Sequence, residues 1–462
     1  MSKQSSPLPL LPGFEAEHAL FETGSRATQQ IASHQEFISK ATVLSRALPS
    51  SQYLINLCDD RYWFALAFAA GLIRGTVSLF PPNRLAATCH EIARDYHDVM
   101  CVSDGHVDGI ELPLVQIKDR IQIKTPGDAA NAVVPMPLIA ADTEAFIAFT
   151  SGSTGRPRPH PKYWGDLVGC AAAAARRFRF TADSTIIATV PPQHMYGLEL
   201  SIMVPLTVGL SVTAARPFFP ADIRAALSRA PGARILVTTP VHLSACVEAG
   251  LEWPAIDMVI SATAPLPKTL AKRAESVLST RVLEIYGSTE SGSIASRHTA
   301  RETAWRWYDT VVPRPDGTRI AVTADFLHEP VPLADVLQLE EDGRFQLLGR
   351  EAEMIKVGGK RASLADLSLK LNAIDGVRDG VFIVPGEPQQ RVERLALIAV
   401  APGMNRQAII TGLAGQIDPL FYPRRIVFVD RLPRNEAGKL LREDLLRLLE
   451  PAHDRGNEDD AD

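Results

Sequence analysis

The stretch FIAFTSGSTGRPRPHPK, from Phe146 to Lys162, changes within a few residues from an apolar run to hydroxyl and glycine residues, and then to cations and prolines. Its start predicts a strand that leads into the loop TSGSTG. Backbone N–H groups and hydroxyls of such a loop can surround phosphate oxygens, and nearby cations neutralise their charge. The spacing differs from the P-loop pattern G-x-x-x-x-G-K-[ST], because no lysine follows Gly155 directly. Alone, the stretch fits either a phosphate-binding loop or a surface turn of small residues.

Around this stretch, β-rich runs alternate with helical ones. QYLINLC, TVSLFP, STIIATVPP, ARILVTTP and IDMVISATAP predict strands, whereas RYWFALAFAAGLIRG and GDLVGCAAAAARRF predict helices. Such alternation predicts an α/β architecture with largely parallel sheets. After about Gly349 a short charged helix and the β pair GVFIVPG and RLALIAVAPG predict a small α+β domain. We therefore expect a large N-terminal domain over 1–349, a small C-terminal domain over 350–450 and an acidic disordered tail over 451–462.

Composition restricts the class of protein. A chain of 462 residues with 46% hydrophobic and 22% charged residues is expected to form two or three globular domains. A formal net charge of −5 gives no support for a nucleic-acid partner. The polar, Pro-rich N-terminus does not resemble a signal peptide, and the apolar run Trp63–Ile73 is too short to span a bilayer. Five scattered cysteines without metal-ligand spacing favour a cytoplasmic location.

Five motifs occur in the order found in one enzyme superfamily. TSGSTGRPRP (Thr150–Pro159) resembles the phosphate loop of the adenylate-forming superfamily, which includes acyl-CoA synthetases, nonribosomal peptide adenylation domains and firefly-type luciferases. PPQHMYGLE (Pro191–Glu199) resembles its aromatic segment beside the acyl pocket, and EIYGSTESG (Glu284–Gly292) its adenine and magnesium motif. The segment Leu333–Arg361 resembles the ribose-binding region with the interdomain hinge, and LPRNEAGKLLR (Leu432–Arg442) the motif with the adenylation lysine.

The resemblance implies a nucleotide site built from several of these motifs. Hydroxyls of the phosphate loop would contact the β- and γ-phosphates of ATP, and Tyr286 would offer a flat face to adenine. Asp335 would accept hydrogen bonds from both ribose hydroxyls, and Arg350 would donate to the ribose. The residues implied for ATP binding are Thr150, Ser151, Gly152, Ser153, Thr154, Gly155, Arg158, Thr263, Ala264, Tyr286, Gly287, Asp335 and Arg350.

Three residues are implied in catalysis. Thr289 would bond the α-phosphate, Glu290 would coordinate Mg²⁺ with a hard anionic oxygen, and Lys439 would stabilise the charge that spreads between the carboxylate and the α-phosphate. Gly358 and Gly359, in KVGGK, would leave room for a phosphopantetheine arm. The residues implied for the acyl pocket are His194, Met195, Tyr196, Gly197 and Ser288.

The implied chemistry is two half-reactions in one site. The enzyme would join a small carboxylic acid to the α-phosphate of ATP with Mg²⁺ present, and release pyrophosphate. A thiol, from either CoA or the phosphopantetheine of an acyl carrier protein, would then displace AMP and form a thioester. In this superfamily the small domain rotates between the steps, so the C-terminal domain is expected to act as a mobile lid.

Some positions depart from the family pattern. Arg158 stands where the phosphate loop usually has lysine, and Pro159 is expected to stiffen the loop because it replaces glycine. His160 and Lys162 are the alternative cations for the same role. Ala352 stands at the hinge where Asp or Lys is usual, and the ribose and adenine motifs read LAD and ATAP instead of T-G-D and G-G-A-P. These changes bear on kinetic efficiency rather than on the class of reaction.

The identity of the acid stays open between several classes. The motifs resemble those of the AMP-ligases of aryl-polyene and xanthomonadin-type pigment pathways, which implies a hydroxybenzoate or hydroxycinnamate. His194, Met195 and Tyr196 suit an aromatic guest, but a medium-chain or hydroxy fatty acid would also fit. An amino acid ranks last, because no acidic residue stands where its ammonium would bind. A non-catalytic nucleotide-binding homologue is the alternative from another class, and a kinase-like P-loop protein is excluded by the missing G-K-[ST].

Overall fold

The computed structural model describes residues 6–23, 30–122, 134–151, 157–317, 319–350, 354–357, 360–385, 395–434, 438 and 440–449. The expected acidic tail over 451–462 lies outside these residues. Among the residues described, no helix is both long enough and apolar enough to cross a membrane.

The first part of the chain forms a six-stranded sheet in the order β10-β9-β5-β4-β6-β7. All neighbouring strands in it are parallel except β10, which runs antiparallel to β9 at the edge. Along the described residues, this part contains ten strands, of which β1, β2, β3 and β8 lie outside this sheet. They are β1 (Leu8–Pro9), β2 (Ala19–Thr23), β3 (Gln30–Ser33), β4 (Tyr53–Asn56), β5 (Val77–Phe80), β6 (Val99–Ser103), β7 (Leu114–Gln116), β8 (Leu138–Ile139), β9 (Glu144–Ser151) and β10 (Pro157–Tyr163). The helices are α1 (His34–Ala47), α2 (Arg61–Arg74), α3 (Ala86–Ala93), α4 (Ile117–Gln122) and α5 (Trp164–Phe178).

The next part completes a nine-stranded sheet in the order β17-β16-β15-β14-β13-β11-β12-β2-β3. Its centre is parallel, and it ends in antiparallel strands on both sides. Besides β2 and β3, its strands are β11 (Ser184–Ala188), β12 (Ser211–Thr213), β13 (Ala233–Thr238), β14 (Met258–Ser261), β15 (Arg281–Ser288), β16 (Gly292–Arg297) and β17 (Arg306–Trp307). The helices are α6 (Met195–Leu198), a π-helix (Glu199–Met203), α7 (Val204–Val208), α8 (Pro220–Arg229), α9 (Pro240–Glu248) and α10 (Lys268–Leu278).

The remaining chain forms smaller sheets. The strands are β18 (Val312–Asp316), β19 (Arg319–Thr323), β20 (Val331–Pro332), β21 (Asp335–Leu339), β22 (Phe345–Arg350), β23 (Met354–Val357), β24 (Lys360–Ser363), β25 (Asp379–Ile383), β26 (Ala396–Val400) and β27 (Arg425–Phe428). The helices are α11 (Leu364–Asn372), α12 (Arg406–Leu413), a 3₁₀ turn (Pro419–Phe421) and α13 (Arg442–Leu449). Strands β18-β19-β20 and β25-β26-β27 form two small sheets, whereas β21-β22 and β23-β24 are hairpins.

Helix α2 forms where the apolar run predicted a buried helix. The Asp60 carboxylate accepts hydrogen bonds from the N–H groups of Tyr62 and Trp63 and so caps the first turn. Gly75 ends the helix in the left-handed conformation, with φ of 79°, which glycine adopts without steric cost. Almost every side chain between the two caps is buried, which explains why the run is apolar all round.

Strand β10 differs from the sequence prediction. Pro159 is expected in a loop, but the segment Pro157–Tyr163 pairs with β9 as an antiparallel strand whose register shifts only between Lys162 and Tyr163, so that expectation is wrong. Proline lacks an N–H donor and is therefore tolerated at the edge of a sheet, where one side of the strand has no partner. The three prolines occupy alternate positions, so their nitrogens can all face the free side.

The hydrophobic core is divided at the end of β22. The buried apolar residues of the large clusters end at Phe345, whereas those from Ile355 onward form clusters with one another. The large α/β part followed by a smaller α+β part confirms the predicted fold class. The boundary that we propose between residues 349 and 350 falls between the two groups of clusters.

Candidate active site

The predicted adenine and ribose residues meet at the end of β15. Tyr286 is buried against Trp305 and Phe345, and its hydroxyl donates a hydrogen bond of 2.7 Å to Oδ2 of Asp335. Asp335 begins β21 and stands opposite Arg350 of β22 in the antiparallel register. Residues from two motifs are therefore brought to one place, although Tyr286 and Asp335 are 49 positions apart in the sequence.

The turn that follows β15 presents Thr289 and Glu290 at its tip. The backbone N–H of Ser288 donates to Oγ of Ser291 at 3.2 Å, and the N–H of Ser291 donates to Oγ of Ser288 at 3.2 Å. This reciprocal pair fixes the turn from within. The side chain of Glu290 is 43% exposed, so its carboxylate remains available to a ligand.

Two basic side chains of β10 reach this turn from the neighbouring sheet. The ammonium of Lys162 donates a hydrogen bond to the backbone carbonyl of Glu290, and His160 Nε2 lies 3.6 Å from Oε1 of Glu290. Both residues are about nine-tenths buried, and burial lowers the pKa of the His160 imidazole, whereas Arg158, two residues earlier on the same face of the strand, is exposed. Of the three basic residues that could replace the family lysine, two therefore lie against Glu290.

The environment of Glu290 favours its ionised form. Burial by itself would raise the pKa of this carboxyl, but hydrogen bonds from its own backbone N–H and from Ser288, with the charges of His160 and Lys162, hold the pKa below its usual value. Within the described part of the chain, no group of three or more His, Cys, Asp or Glu side chains is arranged to hold a metal ion. An ionised, accessible carboxylate still fits Mg²⁺, which commonly takes one or two protein carboxylates and completes its shell with phosphate oxygens and water.

The segment predicted to line the acyl pocket is anchored by Tyr196. Its hydroxyl donates to the carbonyl oxygens of Ile260 at 2.9 Å and of Thr238 at 3.2 Å, at the ends of two parallel strands. Burial raises the pKa of this phenol well above its usual value, so the hydroxyl stays protonated. The ring itself is only partly buried, like the side chains of His194 and Met195. The hydroxyl is therefore committed to the fold, and the ring face remains available to a ligand.

The other two residues predicted for the acyl pocket are held by backbone contacts. Gly197 is buried, and a Cβ at this position would stand 2.0 Å from the carbonyl oxygen of Pro191, so only glycine fits. Ser288 is half-buried and takes part in the turn described above.

A buried carboxylate near this segment was not predicted from the sequence. Glu199 is 3% exposed, and it accepts hydrogen bonds from the backbone N–H of Ser293 at 3.0 Å and from the Ser293 hydroxyl. Burial raises its pKa, although these hydrogen bonds partly oppose that effect. Glu199 and Ser293 are 94 residues apart, so no local signal could distinguish this acid from a solvated one.

The adenine-side segment carries backbone strain. Thr263 has φ of 78°, a left-handed conformation that is costly for a β-branched residue. Its hydroxyl oxygen is buried and has no hydrogen-bond partner among the residues described. Ala264 follows it and is half-buried. Strained residues of this kind occur mainly at functional sites, which agrees with the predicted role.

The loop before the predicted catalytic lysine approaches Thr263. Gly438, the residue directly before Lys439, is buried, and a Cβ built on it would lie 3.6 Å from Oγ1 of Thr239 and 3.8 Å from Oγ1 of Thr263. The C-terminal part therefore comes close to the site at this glycine. Several predicted residues lie outside the described part of the chain, namely Gly152, Ser153, Thr154, Gly155, Ala352, Gly358, Gly359 and Lys439. Of Thr150, Ser151 and Arg350 only the backbone is described.

Comparison with known proteins decides the family. Residues 57–336, more than half of the chain, match the family model described as AMP-binding enzyme. The chain belongs to this family. It is 22% identical over 504 residues to 4-coumarate–CoA ligase-like 6 of Arabidopsis thaliana, with 95% of this chain and 87% of that protein covered. It is also 28% identical over 301 residues to a 4-coumarate–CoA ligase of Cereibacter sphaeroides, with 64% and 70% covered.

The fold agrees with solved structures. O-succinylbenzoate coenzyme A synthetase (MenE) from Bacillus subtilis, in complex with ATP and magnesium ion, superposes with a TM-score of 0.79 at 16% identity, over 92% of this AMP-binding enzyme and 96% of that chain. The predicted fold is therefore confirmed. The predicted enzyme class, an AMP-forming ligase that joins an acid to a thiol, is confirmed by the family match together with relatives named CoA ligases. That structure of MenE contains ATP and magnesium ion, the same ligands that the motifs of this sequence predict.

Proposed function

We propose that this AMP-binding enzyme converts a carboxylic acid, best an aryl acid, to its adenylate and then to the thioester of CoA. One observation supports the site most directly: the 2.7 Å hydrogen bond from Tyr286 to Asp335 joins the base and ribose residues beside the turn of Thr289 and Glu290. A carboxylate has two acceptor oxygens, so we propose that Asp335 accepts hydrogen bonds from the ribose hydroxyls.

In the first half-reaction a carboxylate oxygen attacks the α-phosphorus of ATP, the bond to the β-phosphate oxygen breaks, and pyrophosphate leaves. Catalysis rests on position and on neutralised charge. Mg²⁺, when bound, would neutralise the phosphates beside the ionised carboxylate of Glu290. Thr289, at the tip of the same turn, donates to the α-phosphate. Lys439 supplies a positive charge to the transition state, and the position of Gly438 near Thr239 and Thr263 supports this assignment.

In the second half-reaction a thiol sulfur attacks the carbonyl carbon of the acyl-adenylate and AMP leaves. Residues 350–450 act as a lid that rotates between the steps, and Gly358 and Gly359 then border the channel of the pantetheine arm. CoA is the first choice of acceptor, since the relatives are named CoA ligases. The phosphopantetheine of an acyl carrier protein is the second.

The partly exposed ring of Tyr196, with Met195 beside it, supports an aromatic acid. Relatives named 4-coumarate–CoA ligase, such as that of Cereibacter sphaeroides, carry the name of an acid that contains an aromatic ring. A hydroxybenzoate or hydroxycinnamate of a pigment pathway is therefore the acid that we favour, and a medium-chain or hydroxy fatty acid is the alternative.

Acid-dependent exchange of labelled pyrophosphate into ATP tests the first step. The panel should contain hydroxybenzoates, hydroxycinnamates, medium-chain fatty acids and hydroxy fatty acids, and the product mass with CoA or with an acyl carrier protein identifies the acceptor. We expect the aryl acids to give the highest kcat/KM. Faster exchange with fatty acids would reject the aryl assignment, and binding of ATP without exchange for any acid would favour the non-catalytic homologue.

A further inference from the structure

The side chain of Arg434 connects two parts of the C-terminal region. Its Nε and Nη2 atoms form a forked ion pair with the carboxylate of Asp379 on β25, at distances of 2.8–3.0 Å. Its Nη1 donates a hydrogen bond of 2.7 Å to the backbone carbonyl of Gly438. The pair is mostly buried, with side-chain exposures of 19% for Arg434 and 28% for Asp379. One planar guanidinium therefore holds a strand and a loop at once.

The loop that Arg434 holds carries the residue before Lys439. Arg434 and Leu440 also form an isolated antiparallel bridge. Gly438 has φ of 76°, which only glycine adopts readily, and a Cβ built on it would lie 3.6 Å from Oγ1 of Thr239 and 3.8 Å from Oγ1 of Thr263, so it stands close to the large part. The guanidinium thus holds Gly438 from the C-terminal part, and Thr239 and Thr263 of the large part lie near this glycine.

We propose that Arg434, fixed by Asp379, is the positioning residue of Lys439 in the adenylation step. This inference rests on the proposed function, because it assigns Arg434 a task within that reaction. A lysine side chain stabilises charge only when it stands in the right place, and misplacement by about 1 Å can cost about 100-fold in rate. Arg434 prevents such misplacement through its hydrogen bond to the backbone carbonyl of Gly438, the residue before Lys439. It does not itself contact the reacting atoms.

Two variants test the interactions of Arg434 with Asp379 and Gly438. Arg434→Ala removes both interactions, and we expect adenylation, measured as pyrophosphate exchange, to fall about 10- to 100-fold. Arg434→Lys keeps the positive charge beside Asp379, but a single ammonium lacks the fork that reaches both partners, so we expect a loss of about tenfold with an unchanged melting temperature. Thioester formation from a supplied acyl-adenylate should stay within about twofold, because Lys439 does not act in that step. The matched control is Arg447→Ala, which removes an exposed arginine that pairs with Asp444 on α13.

A double-mutant cycle separates positioning from a general structural role. If Arg434 acts through Lys439, Arg434→Ala should cost no more than about twofold in the Lys439→Ala background. The charge swap Asp379→Arg with Arg434→Asp restores the ion pair but not the bond to Gly438, so we expect it to stay defective in adenylation. Independent losses in the cycle, or full recovery in the swap, would overturn the proposal.

A measurement that does not depend on turnover completes the test. Trypsin should cut the peptide bond after Lys439 about tenfold faster in Arg434→Ala, which lacks the hydrogen bond to Gly438, than in the native protein or the Arg447→Ala control. Equal cleavage together with native adenylation in Arg434→Ala and Arg434→Lys would refute the positioning role. If the native protein exchanges no pyrophosphate with any acid while cleavage still rises, the proposed reaction fails and the role of Arg434 in holding the loop stands.

Discussion

Lys162 offers a sharp test of how the altered phosphate loop works. Its ammonium is about nine-tenths buried and donates to the backbone carbonyl of Glu290. Lys162→Met keeps most of the side-chain volume and removes the charge. Loss of a hydrogen bond from a charged donor costs about 1.5–3 kcal/mol, which corresponds to about 10- to 150-fold when the cost falls on the transition state. We expect the rate of adenylation to fall about 10- to 100-fold, because the turn that holds Thr289 and Glu290 loses its support.

The global stability of Lys162→Met should change much less than its rate. Burial disfavours the ammonium form and lowers the pKa of Lys162, so the variant loses one hydrogen bond but is relieved of a buried charge. The two effects oppose each other. Thermal unfolding therefore distinguishes a local defect at the turn from a damaged fold, and Lys370→Met, which removes an exposed lysine paired with Asp366, is the matched control.

Replacement of Arg158 is expected to change the adenylation kinetics in a different way. It is exposed on β10, and we propose that it neutralises the phosphates of ATP. Arg158→Ala should therefore raise the KM for ATP several-fold and lower the adenylation rate, leaving the KM for the acid unchanged, while Lys162→Met should mainly lower kcat. His160→Ala, measured alongside, reports on the third cation. If Arg158→Ala behaves like the native enzyme and Lys162→Met raises the KM for ATP, the phosphate-binding cation is Lys162 and our assignment is wrong.

Three further predictions follow from the fold and the site. Lys439→Ala should lower adenylation about 100-fold or more and spare thioester formation from a supplied acyl-adenylate, and equal loss in both steps would indicate a structural role. Limited proteolysis, with and without an ATP analogue, should cut near residues 349–356 and release a C-terminal fragment; cleavage that never falls there would reject the domain boundary. Burial lowers the pKa of His34 from 6.5 to about 4, so only the unfolded chain binds this proton between those values. The free energy of unfolding should therefore fall by up to about 3 kcal/mol as the pH drops through that window, and it should fall less in His34→Asn. The control is the exposed His106→Asn. A pH dependence of unfolding in His34→Asn equal to that of the control would contradict this prediction.

The elements that could be predicted from the sequence are those with local signals. Helix α2 has an apolar run between a capping aspartate and a glycine, and the parallel strands β4, β5, β11, β13 and β14 each form a short β-rich run closed by a turn residue. The pairing of Tyr286 with Asp335 could be expected only through the resemblance, because the two residues lie 49 positions apart. Local patterns therefore predicted the elements, and the ordered motifs predicted which elements meet.

Residues whose role depends on distant partners were missed. Arg61 is fully buried, and its guanidinium donates to Oγ of Ser201, 140 residues away, and to four backbone carbonyls, among them those of Ala188 and Val190. Nothing in its neighbourhood in the sequence separates it from an exposed arginine at the start of a helix. The buried Glu199 was missed for the same reason. Burial of a charge is a tertiary property, since it is tolerated only where partners from other elements satisfy it.

The prolines of β10 argue against a degenerate nucleotide site. Pro157, Pro159 and Pro161 alternate with the three cations, and a strand directs alternate side chains to opposite faces. The edge position of β10 tolerates the missing N–H donors, and the three basic residues occupy the alternate positions, from which two of them lie against Glu290. A loop that had merely lost its lysine and glycine would have no reason to keep this register. We therefore propose that basic residues of β10 replace the usual lysine beside Glu290, the carboxylate that we propose as the Mg²⁺ ligand of an active ligase.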